Sequence, residues 1–429
     1  MATTTRWGET LEVLMELGFP VRKFTIGNAT SGKIGDPNYY IGGSTEGLDV
    51  SPYVLSLSTQ RGRPDQLAAF TAGSANIELN NADRRFDPIN EASPYWDAAE
   101  GRSGVVPRRK VTIKCDGDPI FTGRITDIDM SYEPTSLTAT QEVSTVTITA
   151  AEDFAVLANT YINADIVPSE ELSGTRVNSI LNRGEVDYPA TTRDIDTGVA
   201  VLGGGAAFTI DAGTNVLQYL QEVSQAESGR LFVDRTGYLT FQNRVQPAFD
   251  NPAATFADNG TGIDYQSIDV VYGSEFLYNK IVCGIEGGTD QIANDAASQS
   301  EFGIITLSLT GLLLNNDAAA LTLAQLLLSA YSQPEYRFDR PLFIYNNKTA
   351  VNRGVLTTLE IGQQVDVTRT FRTGTPSAVT EPYTIEGIRH SITPQSHTVQ
   401  FNLAPMVVLL PFIVGDAEQG VIGTTNAVS

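Results

Sequence analysis

The stretch KVTIKCDGDPIFTGRITDI at residues 110–128, followed by STVTITAAE at residues 144–152, determines the expected fold. Apolar and polar residues alternate in it, and successive side chains of a β-strand point to opposite faces of a sheet. Asp116-Gly117 lies between two such runs, as turn residues do between paired strands. The stretch therefore predicts an antiparallel meander of strands.

A second stretch near the end of the chain has the same layout. It consists of QVDVTRT, EPYTIEGIRHSI and HTVQFNLAP, at residues 364–370, 381–392 and 397–405. In both copies a valine-rich strand leads to a proline with an aromatic residue, a central glycine (Gly123 or Gly387) and a last alternating strand. We expect residues of about 109–150 to match residues of about 363–404 strand for strand. The alternative is that unrelated β-meanders share this pattern.

The rest of the chain is also rich in short strands, with a few helices between them. Helices are expected at residues 6–18 and 173–181, after a cap at Thr214 or Asn215, and at residues 318–331, because apolar residues recur there at helical spacing. Further strands are predicted at residues 54–58, 74–79, 109–114, 120–128, 145–150, 230–233 and 238–242. The fold class that follows is mainly β with an α+β middle.

Five regions follow from this distribution. They are an N-terminal segment with the predicted helix (1–20), a first tube-like β-domain (21–158), a mixed α/β middle domain (159–258), a second tube-like β-domain with one helix (259–405) and a C-terminal tail (406–429). The two β-domains, barrels or sandwiches, flank the mixed insertion.

The charge of the chain excludes several classes of protein. With 28 basic and 50 acidic side chains the net charge is −22, which disfavours a protein that coats nucleic acid or an anionic membrane. Two cysteines do not make a disulfide scaffold. Neither a signal peptide nor a membrane anchor is expected, since the apolar run at 404–414 is short and contains two prolines.

Residues for catalysis or cofactor binding are scarce. His390 and His397 are the only histidines, and we interpret them as surface or half-buried residues on neighbouring strands, with no metal or catalytic role. Residues 27–33 fit the start of a phosphate-binding loop, but Ile34 replaces the Ser or Thr that would hold magnesium. The sequence predicts no catalytic, cofactor-binding or metal residues and no enzyme.

The loop Asn81-Ala82-Asp83-Arg84-Arg85-Phe86-Asp87-Pro88 is the densest charged motif. It is either a loop held by its own ion pairs or a contact between subunits, since arginines suit fixed protein–protein geometry. A basic group follows it: Arg102, Arg108, Arg109, Lys110 and Lys114. That group meets an acidic neighbour or is a solvated strand edge. The candidate subunit-interface residues are Arg84, Arg85, Asp87, Arg108 and Arg109.

Several motifs in order resemble one protein family. FTAGSANIELNNADRRFDP (70–88), SPY (93–95), VPRRKVTI (106–113), FTGRI (121–125), the helix and hairpin of residues 215–244 and YNKIV (278–282) are similar to motifs of minor tail proteins. These proteins belong to long-tailed, siphovirus-type bacteriophages of actinobacteria. The resemblance covers roughly residues 50–405.

Within that family the layout is most similar to the hub of the baseplate or tail tip. The resemblance implies a homotrimer whose two tube-like domains form a ring continuous with the tail tube, through which DNA is ejected. It implies the distal tail protein, the tape measure protein and other tail-tip proteins as partners, assembly in the host cytoplasm and a place at the tail tip of the virion. The alternatives are a hexameric distal tail protein and a tail-associated cell-wall hydrolase.

A ring of this kind must let DNA slide through it without binding. We therefore expect the surface that faces the axis to be net acidic or neutral, since several phosphate contacts would hold the genome. The basic group of residues 102–114 is then expected at contacts between subunits.

Overall fold

The computed structural model of the chain describes residues 4–6, 9–17, 22–23, 39–40, 47–97, 101–133, 143–245 and 251–406. The rejected phosphate-loop pattern at residues 27–33 lies outside the described residues. So does the predicted C-terminal tail after Met406.

The N-terminal segment forms strands. They are β1 (Thr4–Arg6), β2 (Glu9–Met15), β3 (Arg22–Lys23), β4 (Tyr39–Tyr40) and β5 (Leu48–Asp49). The helix predicted at residues 6–18 is wrong, because Leu11, Val13 and Met15 alternate into the core as strand residues do. Strand β2 pairs along its length with a later strand, and this tertiary pairing overrides the local helical spacing.

The first repeat is a set of five antiparallel strands. These are β6 (Val54–Gly62) and β7 (Ser74–Asn80), then, after the short β8 (Trp96–Asp97) and β9 (Arg102–Ser103), β10 (Lys110–Cys115), β11 (Asp118–Glu133) and β12 (Val143–Ala151). Their order in the sheet is β10-β11-β12-β7-β6. The predicted strands of the first β-domain are confirmed.

The middle of the chain is mixed α/β, as predicted. Its elements are α1 (Phe154–Leu157), β13 (Glu171–Leu172), α2 (Ser173–Leu181), β14 (Arg193–Ile195), β15 (Val201–Leu202), α3 (Val216–Glu227), β16 (Arg230–Val233) and β17 (Leu239–Gln242). Asn215 caps α3, where its side chain accepts a hydrogen bond from the Gln218 amide at 3.1 Å.

The second repeat has the same five strands and an insertion. In chain order the elements are β18 (Ala254–Ala257), β19 (Ser267–Tyr272), β20 (Lys280–Ile285), β21 (Gln291–Asn294), α4 (Ala296–Phe302), β22 (Thr306–Leu312), α5 (Asp317–Tyr331), β23 (Tyr336–Ile344), α6 (Ala350–Thr358), β24 (Gln364–Thr370), β25 (Ala378–Thr393) and β26 (Ser396–Pro405). The repeat runs β24-β25-β26-β23-β19 across the sheet. Helix α5 was predicted, whereas α4 and α6 were not.

The two repeats match in pairing as well as in order, which confirms the predicted correspondence of the two segments. In each repeat, the first strand of the meander begins opposite a residue of the middle strand. That residue is Arg124 in the first repeat and Thr384 in the second. A bulge follows at once, between Ile125 and Asp127 or between Ile385 and Gly387. Asp127 is therefore equivalent to Gly387.

The alignment of Gly123 with Gly387 is wrong by four residues. Each position requires glycine for a separate steric reason. A Cβ at Gly123 would lie 2.5 Å from the Ala151 carbonyl oxygen, and one at Gly387 would lie 2.8 Å from that of Arg63. The two glycines are thus a coincidence of sequence within a correctly identified repeat.

One chain joins its two repeats into a single sheet. Strand β6 of the first repeat pairs antiparallel with β25 of the second, from Gly62 opposite Gly387 to Leu57 opposite Ile392. This contact, called the closed junction below, uses the part of β25 that extends beyond β24.

A buried ionic cluster fixes the closed junction. The Arg61 guanidinium donates to Glu152 at 2.9 Å, to Glu360 at 2.8 Å and to the Val233 carbonyl at 2.8 Å. Glu152 also accepts from the Gly73 amide at 2.8 Å. The cluster therefore ties both repeats and the middle of the chain to one arginine.

Candidate functional site

One face of the joined sheet is lined by short polar side chains. Residues that pair directly across strands share a face, so the register defines rows. Three rows cross the sheet: Asp127-Thr149-Asn76-Ser58-Ser391-Thr398, Asp129-Thr147-Glu78-Ser56 and Arg124-Ala151-Ser74-Gln60-Arg389-Gln400. All residues in these rows are exposed or half-buried. This polar face runs from β11 of the first repeat across the closed junction to β26 of the second, and the half-buried Leu342 and Ile344 of β23 follow it.

The charge on the polar face is nearly balanced. Its rows carry Glu78, Asp127 and Asp129 against Arg124 and Arg389. Arg124 is in addition neutralised by Asp153 at 3.0 Å. Lys110 of the basic group lies opposite Arg124, at the end of the third row.

The opposite face of the sheet is the core. Its central row is Ile128-Ile148-Ile77-Leu57-Ile392, in which the last four side chains are buried and Ile128 is half-buried. The sheet thus has one apolar face, which packs in the core, and one polar face, which is its front. The front carries short Ser, Thr and Asn side chains together with a few longer Gln, Glu and Arg side chains.

Among the strands of the two repeats, two edges are open within the described part of the chain. Strand β11 loses β10 at Arg124, so from Asp127 to Glu133 only β12 pairs with it. Strand β19 ends the sheet and pairs only with β23. Apolar side chains on both are exposed: Met130 by 38%, Tyr132 by 40%, Val270 by 43% and Tyr272 by 67%. Unpaired edges with exposed apolar side chains are sites of strand addition.

Two candidate interface residues contact the far end of the β11 edge. Arg84 pairs with Asp87 at 2.6 Å, and the Tyr132 hydroxyl donates to the same Asp87 oxygen at 2.9 Å. Burial acts to raise the pKa of Asp87, but the Ile89 amide, Arg84 and Tyr132 together lower it below its usual value. Asp87 therefore stays ionised and holds the loop against β11. Arg84 adopts a φ of 56°, which the loop sustains through these bonds.

The remaining candidates occupy two further positions. Arg85 pairs with Asp83 and lies over the Tyr53 ring, 3.9 Å from its centre. Arg108 and Arg109 flank the near end of the β11 edge, where the Arg108 amide donates to Ile125 at 2.7 Å and the Ile125 amide donates to Arg109 at 2.8 Å. Both readings of the 81–88 loop thus have a basis, since it is held by its own ion pairs and lies at an open edge.

The two histidines are core residues. His390 and His397 are 2% and 0% exposed, so their interpretation as surface or half-buried residues is wrong. His397 lies 2.9 Å from Glu9 through Nδ1 and 3.1 Å from His390 through Nε2. Burial lowers the pKa of His397 to about 3 and that of His390 well below its ordinary value. Both rings are therefore neutral near pH 7.

Sequence analysis missed these buried polar groups, because their burial and their partners depend on strands that are distant in the sequence. Glu9 comes from β2, and Arg61 meets Glu152 and Glu360, each far away in sequence. A signal existed for Arg61, which occupies an inward position in the alternation of β6. No group of three or more His, Cys, Asp or Glu side chains in the described ranges has the arrangement of a metal site.

The cavity beside α3 and α5 does not show a catalytic arrangement. It has a volume of about 350 Å³ and is lined by apolar side chains, by several glutamines and by charged residues: Arg63, Glu222, Arg230, Arg244 and Glu386. Glu386 accepts from both Arg63 and Arg230 at 2.7 Å, so these three charged side chains are paired with one another.

None of the described helices is long and apolar enough to cross a membrane.

Comparison with protein-family models and with curated protein sequences gives no match. Solved structures do share the fold. A 43 kDa tail protein of prophage MuSo2 from Shewanella oneidensis superposes with a TM-score of 0.55 at 12% identity, over 92% of this chain and 98% of that one. A tail protein from Neisseria meningitidis MC58 gives 0.55 and 12%, over 92% and 96%. The chain therefore has the fold of phage tail proteins, as the mainly β class predicted.

Proposed function

We propose that the chain is a structural hub at the tail tip of a long-tailed bacteriophage, of the kind found in phages of actinobacteria. Three copies form a ring, and DNA leaves through it. The observation that carries this proposal is the repeat of five strands: three chains supply six equivalent units, enough to continue a six-fold tube with three-fold symmetry. The fold shared with two phage tail proteins supports a place in the virion.

The polar face supports the role of a conduit. In the ring it faces the axis, with Ser, Thr and Asn side chains and nearly balanced charges. Phosphate groups find few cations there, so the genome slides past. The role we propose for this face is structural. The distal tail protein and the tape measure protein are the proposed neighbours in the tail.

Counting subunits tests the proposal. The full-length protein, examined by native mass spectrometry and by electron microscopy of the assembled tail tip, should give three copies in one ring. Six copies would instead identify a distal tail ring, and cell-wall degradation by the purified protein would identify a hydrolase.

The conduit is tested on the same ring by its affinity for duplex DNA at low salt. The unmodified ring should leave DNA free. Glu78→Arg lies in the middle of the polar face, away from both open edges, and should produce salt-dependent DNA binding. Tight binding by the unmodified ring would contradict the proposal.

A further inference from the structure

The closed junction provides a template for a second contact of the same kind. In it, β6 adds to the half of β25 that follows the bulge, and Ile388, His390 and Ile392 lie opposite Arg61, Thr59 and Leu57. Side chains on the core face are covered as a result: Ile388 is 4% exposed and Ile392 is 1% exposed. The junction joins the outer strand of one repeat to the middle strand of the other.

Each repeat has both of these parts. Because Asp127 is equivalent to Gly387, Met130 is equivalent to His390. The outer strands correspond as well, since Val270 pairs with the buried Phe338 as Thr59 pairs with the buried Ala75. One chain uses the outer strand of repeat one and the middle strand of repeat two. Within the described residues, the outer strand of repeat two and the middle strand of repeat one are left over.

We propose that these two open edges bind each other between copies of this chain, with β19 of one copy adding antiparallel to residues 127–133 of β11 in the next. This rests on the proposed ring and specifies the contact that closes it. By the register of the closed junction, Val270 lies opposite Met130, Tyr272 opposite Ile128 and Ile268 opposite Tyr132.

The exposure of the side chains fits this partner. Met130 is equivalent to the buried His390 and is 38% exposed. Tyr132 is equivalent to the buried Ile392 and is 40% exposed. Val270, at the equivalent of buried Thr59, is 43% exposed. The single chain thus shows apolar side chains where the closed junction hides them. In a ring, one neighbour covers the β11 patch of each chain and the other neighbour covers its β19 patch.

The arrangement at the rim supports the same contact. Residues Met130, Tyr132, Arg84, Asp87, Pro88 and Ile89 line a shallow depression of about 390 Å³ beside the open edge. Ile89, 78% exposed, extends the apolar surface. The incoming β19 carries Tyr272 and Val270, which supply the matching apolar surface. Since the donor edge and the acceptor edge differ, the contact is head to tail and closes only as a ring.

Disulfide trapping in the full-length protein tests the register. Directly opposed residues of antiparallel strands have Cα atoms about 4.5–5.5 Å apart, within disulfide reach. The double variant Met130→Cys/Val270→Cys should form covalent trimers under mild oxidation. An equimolar mixture of the single variants should stop at covalent dimers. Cys115 and Cys283 stay in place, because burial keeps both thiols unreactive.

The matched control moves one cysteine to the other face of the strand. Met130→Cys/Val271→Cys should form far fewer cross-links, because neighbouring side chains of a strand point in opposite directions. Equal cross-linking by both variants, or trimers without cross-links in either, would overturn the edge pairing and leave the hub in place. A protein that stays monomeric at every concentration and in the assembled tail would overturn both.

Discussion

The closed junction and the two open edges are the same structural element in two states. At the closed junction the chain pairs its own strands, and the residues between them are His390, Thr59 and the Arg61 cluster. At the open edges the equivalent positions hold Met130 and Val270, which are exposed and carry no charge. The difference teaches that the contact inside one chain buries polar groups, which must be paired to offset their desolvation, whereas the open edges carry uncharged side chains whose burial needs no such partner.

Removing the arginine of the closed junction should have the largest effect. Arg61→Ala leaves Glu152 buried without its guanidinium partner, and we expect a loss of about 3–5 kcal/mol in the free energy of unfolding. Chemical denaturation of the purified protein measures it. Arg84→Ala, the matched control, removes the solvent-exposed partner of Asp87 and leaves that carboxylate its bonds from the Ile89 amide and the Tyr132 hydroxyl, so it should cost about 1 kcal/mol or less. Equal losses would show that the closed junction is not specially dependent on its charges.

Acid should weaken the closed junction next. The pKa values of His390 and His397 are lowered by burial, so the unfolded chain binds more protons below pH 6.5. Stability is fully present above that pH and falls below it, by up to about 1.4 kcal/mol per pH unit for each histidine. Thermal unfolding between pH 7 and pH 5 measures the slope.

The control for the acid experiment is the double variant His390→Gln/His397→Gln. Its amides do not titrate, so its melting temperature should fall less between pH 7 and pH 5, although Glu9 remains buried beside them. An identical pH profile for both proteins would assign the acid sensitivity to carboxylates elsewhere.

The open edge should show the smallest effect on folding. Met130→Lys places a charge on a side chain that is already 38% exposed, and the free energy of unfolding of the monomer should change by less than about 0.5 kcal/mol. Ile392→Ala, at a buried position of the closed junction, should cost about 2–5 kcal/mol. Denaturation in dilute solution gives these values, and sedimentation at high concentration should show weaker assembly for Met130→Lys. Unchanged assembly would separate the open edge from any contact between copies.

Local patterns were enough to predict most of the fold. Alternation and turn residues predicted the strands of both meanders, and the stripe of Val216, Leu220 and Val223 predicted α3. Strand β2 was mistaken for a helix because its partner, β10, lies about 100 residues further along the chain. Pairing at such a distance leaves no trace in a local window.

The candidate site was predictable only in part. Arg84, Asp87, Arg108 and Arg109 stood out as charged residues on an acidic background, and the structure places them at the two ends of the open β11 edge. That the edge itself was open depends on where β10 stops, which is a property of the register. Burial of His390 depends likewise on β6, and neither follows from the residue types nearby.

The pairing of β6 with β25 also dictates an order of events during synthesis. Strand β6 is complete at Gly62, and its partner begins at Gly387. At about 5–20 residues per second, the ribosome needs roughly 16–65 s to make the residues in between. During that time, β6 of the first repeat is unpaired. On a polysome, the β25 of a neighbouring nascent chain has the same sequence as the strand with which β6 pairs. Correct assembly of this protein is therefore a matter of timing as well as of fit.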